Sequence, residues 1–469
     1  MIGTMLGVLF VCLIGTVPIA VSLGLSCVAT FALGGGGNMI QMLAQSMVTS
    51  MDSFSLMAIP FFMLVGSLME YGGIAKKLVD VAEMMTGNMP GGLGMAAIVA
   101  SMFFAAISGS GPATAAAIGG IMIGAMVSQG YSKGYSGALI AAGSTIGPVI
   151  PPSIPMIMYG VTIGVSVSYM FIAGIIPGIL MGVALMIYNY FTSKKRGYKG
   201  RETQAKTAAE KAKVLKDAIP AILMPIIILG GIYGGIFTPT EAAAVSVVYG
   251  LFVGIFIYKE VTFKDLRGLL VESGKTTGGI MLIVASASLF SFVCTKFGIA
   301  QAASDLLGSI AHNQFTFLLI VNVIFLIAGC FIDANSAMYI FIPIMLPVCK
   351  ALGYDVVAFG IVATVNLAIG QVTPPVGVNL FVAISVKLKK GMEVDIPKIS
   401  RAVMPMIGAS VIVLLLITYV PVVSTFLPKA LAGDSYSGAV TASADSDQST
   451  AVDGGSADFD TIGDYSDLD

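Results

Sequence analysis

Long apolar runs, separated by short polar stretches, make up most of this chain. Positions 1–51 carry no charged residue, and Lys133 is the only one between Glu83 and Lys194. An uncharged run of about 20 residues can cross the hydrocarbon core of a bilayer as one helix. The pattern therefore predicts an all-α polytopic membrane protein. Nine spans are predicted, at 4–32, 53–70, 136–163, 165–191, 217–236, 241–258, 276–294, 358–386 and 402–424.

Two further apolar stretches are each interrupted by a short polar tip. The stretch 92–128 is interrupted at positions 108–114, and the stretch 315–349 is interrupted at positions 332–336. We predict that each stretch is a re-entrant hairpin, which enters the membrane and leaves it on the same side. Polar residues at such depth are costly in lipid, so the two tips are candidate functional positions.

Two of the predicted spans contain successive prolines, Pro151-Pro152 and Pro374-Pro375. Proline lacks a backbone donor and clashes with the preceding turn, so two prolines in a row break a helix. A break at membrane depth is tolerated only where it is buried in protein or lines a cavity. We predict two broken helices, which together form a paired binding site.

The landmarks occur twice in the same order. Gly73-Ile74-Ala75 precedes the first hairpin, and Gly298-Ile299-Ala300 precedes the second, 225 positions later. Inverted repeats with interrupted helices are the architecture of secondary transporters. A duplication could also persist without function, but the retained positions are helix breakers and polar residues. The predicted first half is 1–193, with the hairpin 92–128 and the broken helix 136–163. A linker, 194–216, joins it to the second half, 217–428, which has the hairpin 315–349 and the broken helix 358–386. The predicted remainder is a disordered acidic tail, 429–469.

Composition supports the membrane class and excludes several others. Hydrophobic residues make up 57% of the chain and charged residues 10%, against about 25% charged in soluble domains. The single histidine, His312, cannot assemble a histidine metal site or a catalytic triad, and no phosphate-binding Gly-Lys-Thr loop occurs. We therefore expect no enzyme, no organic cofactor and no nucleic-acid partner.

Charge distribution predicts the orientation. With the N-terminus in the cytoplasm and both hairpins re-entrant, 21 of the 24 Lys and Arg residues lie on the cytoplasmic side. Positive residues concentrate there in multi-pass proteins. The tail, which has nine Asp and no cation after Lys429, is then periplasmic.

The predicted breaks provide oxygen ligands. A helix that ends inside the membrane leaves carbonyl groups free at one end and amide groups at the other. Carbonyl and hydroxyl oxygens suit a small cation such as sodium, whereas the amide ends suit an anion. The first predicted sodium site combines Ser108, Ser110 and Thr114 with the carbonyls of Gly147, Ile150 and Pro152. The second combines Asp333, Asn335 and Ser336 with Gly370, Thr373 and Pro375.

Asp333 is the principal candidate in these sites. No other formally charged residue occurs between Asp305 and Lys350, and a carboxylate at depth is a functional candidate. Its structural alternative, a helix N-cap, is compatible with ion binding. Asn379 is a candidate substrate ligand together with Ser110 and Asn335. We expect two sodium sites of unequal strength, with an organic acid bound between them.

The chain resembles the large membrane subunit of the TRAP (tripartite ATP-independent periplasmic) transporters over about residues 1–428. The resemblance rests on several short motifs in the same order. They are Met51-Asp52-Ser53-Phe54, Pro60-Phe61-Phe62, Ser108-Gly109-Ser110-Gly111, Gly147-Pro148-Val149-Ile150-Pro151-Pro152-Ser153, Phe237-Thr238-Pro239-Thr240-Glu241, Phe331-Ile332-Asp333 and Asn366-Leu367-Ala368-Ile369-Gly370-Gln371-Val372-Thr373-Pro374-Pro375.

The resemblance implies an elevator-type secondary transporter that is driven by a sodium gradient. It implies two protein partners, a small TRAP membrane subunit and a periplasmic substrate-binding protein. It also implies a bacterial or archaeal inner membrane and an organic-acid substrate. Sialic-acid members tend to carry an acidic residue in the first tip, where this chain has Thr114. The threonine at this position favours C4-dicarboxylates as the substrate over sialic acid or another sugar acid.

Functions of other classes remain as alternatives. A gated anion channel or a membrane scaffold would need neither two sodium sites nor a delivering partner. An intramembrane enzyme is disfavoured, because the sequence offers no nucleophile with a matching base.

Overall fold

A computed structural model describes the greater part of the chain. The described residues are 2–15, 17–33, 40–87, 89–198, 207–298, 302, 310, 313–385, 395–433 and 436. Four residues named above, Ile299, Ala300, Asp305 and His312, lie outside this set, as does most of the predicted acidic tail.

Within the described residues the fold is helical throughout, without strands. The first half contains α1 (Ile2–Ile14), α2 (Ile19–Leu33), α3 (Ile40–Thr49), α4 (Ala58–Tyr71, preceded by a 3₁₀ turn), α5 (Ile74–Thr86), α6 (Gly92–Ser108), α7 (Gly111–Ser128), α8 (Lys133–Ser144), α9 (Ile154–Ile163) and α10 (Val167–Arg196). The second half contains α11 (Ala208–Tyr233), α12 (Pro239–Phe252), α13 (Phe263–Lys296), α14 (Gln314–Phe331), α15 (Ala334–Ala351), α16 (Val356–Gly370), α17 (Val378–Ser385), α18 (Ile396–Tyr419) and α19 (Val422–Ala432). Nine helices of the described part are long and apolar enough to cross a membrane.

Both predicted hairpin stretches consist of two helices that meet at the polar tip, while their re-entrance from one side stays a prediction, since α7, α14 and α15 are each long and apolar enough to cross a membrane. In the first, α6 and α7 pack against each other and are joined at Gly109 and Ser110. In the second, α14 and α15 are joined at Ile332 and Asp333 and also pack together. A polar N-cap begins the second arm at each tip, Ser110 for α7 and Asp333 for α15, so the interruption follows from the local sequence.

The two predicted broken helices are also present. The first consists of α8 and α9, separated by residues 145–153, and the second consists of α16 and α17, separated by residues 371–377. Each gap contains the proline pair on which the prediction rested. Most of the first gap is buried, as expected for non-helical backbone inside a membrane protein.

Three element boundaries differ from the sequence prediction. The predicted single span 4–32 is two helices, because Gly15 and Pro18 interrupt it, and α1 and α2 fold back on each other. Helix α13 extends well before the predicted start at residue 276. Residues 208–216, which the prediction placed in the linker 194–216, are the first turns of α11, and this helix begins with a capping box of Thr207 and Glu210.

The hairpins and broken helices interlock across the two halves. Each first arm packs on its own hairpin, α8 on α6 and α7, and α16 on α14 and α15. Each second arm packs on the other hairpin: α9 contacts α15, and α17 contacts α7. The buried Tyr159 hydroxyl of α9 donates to the carbonyl of Val356 at the start of α16, at 2.6 Å. These contacts bring both tips and both gaps to the same region.

Candidate functional site

The first tip is organised by its own hydroxyl groups. Ser110 is the N-cap of α7, and its side chain accepts from the Ala113 amide at 3.5 Å. The Thr114 hydroxyl donates to the Ser110 carbonyl at 2.8 Å and lies 3.2 Å from the Ser108 hydroxyl. Ser108 and Thr114 are buried, whereas Ser110 is half-buried. The three predicted ligands of this tip therefore form one cluster.

The first tip lies directly against the gap of the first broken helix. A Cβ added to Gly147 would lie 2.6 Å from the Ser110 carbonyl oxygen, which is closer than real Cβ contacts come. A Cβ on Gly109, whose φ of 61° also favours glycine, would collide with the Pro152 carbonyl. Ile150 is buried, with its side chain against Gly178 of α10. Glycine at both contact positions allows the two backbones to approach this closely.

The second tip is centred on the Asp333 carboxylate. As the N-cap of α15, it accepts from the amides of Asn335 at 3.1 Å and Ser336 at 3.2 Å, and from the Ser336 hydroxyl. Ser336 is fully buried, and the side-chain oxygen of Asn335 is buried without a hydrogen-bond partner. The capping role is thus present, and it leaves an amide oxygen free for a ligand.

The second gap is arranged differently from the first. Gly370 ends α16 against Gly329 of α14, and the added Cβ of Gly329 would lie 3.0 Å from the Gly370 Cα. The Thr373 hydroxyl donates to the Ile369 carbonyl at 2.9 Å. Pro375 is exposed, and no hydrogen bond among the described residues joins its carbonyl to the second tip. The carbonyl ligands proposed for this half therefore remain a prediction.

Asn379 lies where the second broken helix meets the first hairpin. It is fully buried, and its amide nitrogen donates to the side-chain oxygen of Gln371 at 3.5 Å. A Cβ on Gly111 of the first tip would lie 2.8 Å from the Asn379 amide nitrogen and 2.7 Å from the Gln371 side-chain oxygen. Among the described residues, the Asn379 side-chain oxygen has no hydrogen-bond partner. A buried polar atom without a partner costs about 1–3 kcal/mol, so this oxygen is suited to a bound ion or substrate.

A cavity of about 510 Å³ connects these parts. Both tips line it, through Ser110 of the first tip and through Asp333 and Asn335 of the second. The gap regions line it through Pro148 and Gln371. The opposite side is formed by α4, the start of α2 and one face of α13. The α13 face consists of Lys275, Thr276, Gly279, Ile280, Leu282 and Ile283.

Sequence reasoning missed three of the polar residues in this cavity, namely Gln371, Lys275 and its neighbour Thr276. Gln371 belongs to the second gap, and its side chain could have been suspected from its position beside Gly370. Lys275 was assigned to the cytoplasmic end of a span, and only the greater length of α13 places it inside a helix at the cavity. No local signal distinguishes Lys275 from other lysines near membrane boundaries, because its position depends on packing between distant helices.

The ligand chemistry of the cavity favours hard cations and organic anions. Its polar atoms are hydroxyl, amide and carboxylate oxygens together with one ammonium group. Within the described ranges, no group of three or more His, Cys, Asp and Glu side chains could hold a metal ion. Oxygen ligands of mostly neutral type are suited to sodium, which carbonyl groups of broken helices coordinate in secondary transporters.

Comparison with known proteins identifies a family. The sequence profile described as "Tripartite ATP-independent periplasmic transporter, DctM component" matches residues 6–423. The isethionate TRAP transporter permease protein DctMQ of Oleidesulfovibrio alaskensis is 43% identical over 412 residues, which cover 87% of this chain and 64% of that protein. This chain therefore spans less than two thirds of that relative.

Two other relatives are matched over nearly their whole length. The C4-dicarboxylate TRAP transporter large permease protein DctM of Rhodobacter capsulatus is 37% identical, covering 91% of this chain and 98% of the relative. The sialic acid TRAP transporter large permease protein SiaM of Vibrio cholerae is 37% identical, covering 84% and 91%. Relatives of similar identity thus differ in the substrates for which they are named.

One solved structure shares the fold. The YdaH transporter of Alcanivorax borkumensis, described as having an unusual topology, matches with a TM-score of 0.56 at 15% identity. The match covers 82% of this chain and 90% of that one. At this identity the likeness concerns the arrangement of helices alone, and it agrees with the predicted all-α polytopic membrane fold.

Proposed function

Because this chain belongs to the DctM family of TRAP transporters and is a large permease of that family, we propose that it carries an organic acid into the cell, driven by a sodium gradient. The observation that carries the proposal is the single cavity onto which both hairpin tips and both helix gaps open. A substrate in this cavity would contact both halves at once. Secondary transporters couple ion and substrate through such a shared site.

The two sodium sites lie at the two tips in this proposal. The first consists of the Ser108, Ser110 and Thr114 cluster together with the carbonyl groups that approach it from Gly147 to Pro152. The second consists of the Asp333 carboxylate and the unpartnered Asn335 oxygen, with carbonyl groups of the second gap. The carboxylate makes the second site the stronger one, since a negative ligand attracts a cation more than neutral oxygens do.

The hairpins and broken helices form the moving unit of an elevator in this proposal. Support comes from their interlocking contacts, which join the two halves into one body. The two copies are inverted repeats, each with a hairpin followed by a broken helix. Residues 194–216 connect the copies on the cytoplasmic side of a bacterial or archaeal inner membrane, and the C-terminal tail is periplasmic. Because α1 and α2 fold back on each other, the cytoplasmic location of the N-terminus stays a prediction.

Two protein partners complete the transporter in this proposal. A small TRAP membrane subunit packs against the permease in the bilayer, and a periplasmic binding protein delivers the substrate. The family description, which names a tripartite transporter, supports this arrangement.

The substrate that we propose is a C4-dicarboxylate, supported by the Rhodobacter capsulatus relative. A second candidate is a small sulfonate, favoured by the isethionate relative at 43% identity. Sialic acid or another sugar acid is a third, for which the Vibrio cholerae relative is named. All three are organic anions, so the cation in the cavity is consistent with each of them.

Substitution of Asp333 tests the sodium proposal. Asp333→Asn keeps a side-chain oxygen for the helix cap but removes the charge, since Asn is as good an N-cap as Asp. We expect sodium-driven uptake to fall at least tenfold in proteoliposomes that contain both membrane subunits and the binding protein. The measurement is initial uptake of labelled succinate or isethionate against sodium concentration.

Asp355→Asn provides the matched control. Asp355 caps α16 in the same way, accepting from Val357 at 2.9 Å and Ala358 at 3.1 Å, but it does not line the cavity. We expect this variant to keep the sodium dependence of the wild type. Unchanged sodium dependence in Asp333→Asn would contradict the assignment, and rapid wild-type flux without sodium or binding protein would indicate a channel.

A further inference from the structure

Lys275 of α13 faces the cavity from outside the hairpins and broken helices. Helix α13 packs against α2, α3, α4 and the α15 arm of the second hairpin. Its cavity-facing residues recur at helical spacing, so Lys275, Gly279 and Ile283 form one face of α13. The cavity therefore has the tips on one side and a lysine on the other.

The charges around the cavity leave Lys275 as its available cation. Among the described lining residues, the formally charged side chains are Lys275 and Asp333. The Asp333 carboxylate already accepts from two amides and a hydroxyl at the start of α15. No carboxylate of the described residues lies within 4.0 Å of the Lys275 ammonium, and Glu272, one turn earlier, accepts from the Tyr71 hydroxyl at 3.1 Å.

A second depression of about 590 Å³ lies beside the same face of α13, and all of its lining residues belong to this helix. It is lined by Lys264, Arg267 and Lys275, with Glu272 as its one carboxylate among the described residues. Successive basic positions are three to eight residues apart and lie on one face of the helix. Lys275 belongs to both depressions, so it marks the boundary between the tip cavity and a mostly basic groove.

We propose that Lys275 binds the carboxylate or sulfonate group of the substrate across the cavity from the two tips, and that the basic groove beyond it is the route by which the anion leaves. This inference rests on the proposed transport of an organic anion. An ammonium group facing an anion forms a charge-assisted hydrogen bond, which is stronger than a neutral one. Because Lys275 belongs to α13 and not to the tips, it holds the anion only when the tips face it.

The groove lies on the side that the distribution of Lys and Arg assigns to the cytoplasm. Lys264 and Arg267 precede Lys275 in the chain and belong to the basic segment 259–275. An anion released from the tips would therefore meet positive charge along its path inward. Such a row of cations raises the local concentration of an anion and lowers the barrier to its movement.

The test is uptake by the complete transporter with Lys275→Gln and Lys275→Arg. Proteoliposomes contain both membrane subunits and the binding protein, and the probes are labelled succinate, isethionate and sialic acid. For the probe that the wild type transports, Lys275→Gln is expected to raise the KM for uptake at least tenfold, with the sodium dependence unchanged. Lys275→Arg keeps the charge and is expected to restore the KM to within about threefold of the wild type.

Lys296→Gln is the matched control, because it makes the same charge change on the same helix. Lys296 lies at the end of α13 over the Phe292 ring and does not line the cavity. A wild-type KM in Lys275→Gln, or an equal KM increase in Lys296→Gln, would overturn the proposal. Absence of sodium-driven uptake in the wild type would instead contradict the proposed function, so the two failures are distinguishable.

Discussion

At the scale of single residues, helix caps and candidate ligands are the same side chains. Ser110 caps α7 and Asp333 caps α15, and both line the cavity. Capping uses only part of the hydrogen-bonding capacity of a carboxylate, which can accept at about four positions. The structural and functional interpretations of Asp333 are therefore compatible, as the sequence argument allowed.

Gly147→Ala tests whether the close approach of the first tip and first gap matters for ion binding. The added methyl group would meet the Ser110 carbonyl, which cannot move without moving the tip. Overpacking of this kind costs about 1–3 kcal/mol. The carbonyl of residue 147 is retained, so the substitution changes only the distance between the first tip and the first gap. We expect the sodium concentration for half-maximal uptake to rise about tenfold.

Gly120→Ala is the control for this substitution. Gly120 lies on α7 of the same hairpin, and a Cβ there meets no atom within 4 Å. Alanine also favours the helix by about 1 kcal/mol over glycine, so stability should not fall. If Gly147→Ala takes up substrate with the sodium dependence of the wild type, the first site does not depend on this contact.

The sequence predicted the site residues that are neighbours along the chain better than those that distant helices contribute. Ser108, Ser110 and Thr114 are neighbours along the chain, so their cluster follows from one local turn. Gln371 lies in the predicted second gap, so its position beside Gly370 was a local signal, whereas Lys275 was missed because it reaches the cavity through contacts between helices that are far apart in sequence. Long-range packing of this kind leaves no periodic signal around a single residue.

At the scale of elements, the interruptions were predictable and the fold-backs were not. The hairpins begin and end within two residues of their predicted limits, because caps, glycines and prolines act locally. The predicted span 4–32 failed because its composition is apolar on both sides of Gly15 and Pro18. Hydropathy alone does not separate two short helices of about 20 Å from one that crosses the membrane.

Tyr436 and Lys429, near the end of the described chain, both contact Asp355 at the start of the second broken helix. The buried Tyr436 hydroxyl lies 2.9 Å from each oxygen of Asp355, the cap of α16, and its ring lies 5.5 Å from that of Tyr169. Lys429 of α19 lies 4.0 Å from the same carboxylate. Tyr436 follows the family-matched residues 6–423, so this attachment lies outside the part of the chain that the family defines.

Tyr436→Phe is expected to loosen this attachment without affecting the cavity. A hydrogen bond to a charged group contributes about 1.5–3 kcal/mol. Its loss should expose the backbone near Lys429 and speed tryptic cleavage there several-fold. Mass spectrometry of limited digests in detergent measures the rate, and uptake should stay within about twofold of the wild type.

The same contact should depend on pH. Burial, and then the negative charge of Asp355, raise the pKa of Tyr436 above its ordinary value. The contact with Asp355 favours the protonated phenol of Tyr436. Its stabilisation is therefore fully present below pH 10, the ordinary pKa of tyrosine, and is lost as the pH rises above that value. Tyr419→Phe is the control for the Tyr436→Phe substitution. It removes only a 3.4 Å hydrogen bond from the Tyr419 hydroxyl to the Phe315 carbonyl, so it should leave the rate of tryptic cleavage unchanged. Equal cleavage of Tyr436→Phe and wild type would contradict this role.

At the scale of the whole molecule, the exchange of second arms makes the two hairpins and two broken helices one body. Movement of one hairpin alone would break its contacts with the second arm from the other half, which is α9 for the second hairpin and α17 for the first. Helix α13 stands across the cavity from the tips. Movement of the interlocked unit past α13 would change the cavity without disrupting either tip, which is the type of motion that an elevator requires.

Cross-linking the two sides of the cavity tests that motion. Pro112 in the first tip and Gly279 on α13 both line the cavity, and a Cβ at Gly279 meets no atom within 4 Å. In a Pro112→Cys, Gly279→Cys double variant, a bifunctional methanethiosulfonate reagent should join the tip to α13 and abolish uptake. A reductant should restore it. Each single-cysteine variant is treated with the same reagent as a control for reaction of the native thiols and for obstruction of the cavity by the bound reagent. These variants should keep most of their uptake. Full uptake by a quantitatively cross-linked double variant would mean that the tips and α13 keep fixed positions during transport.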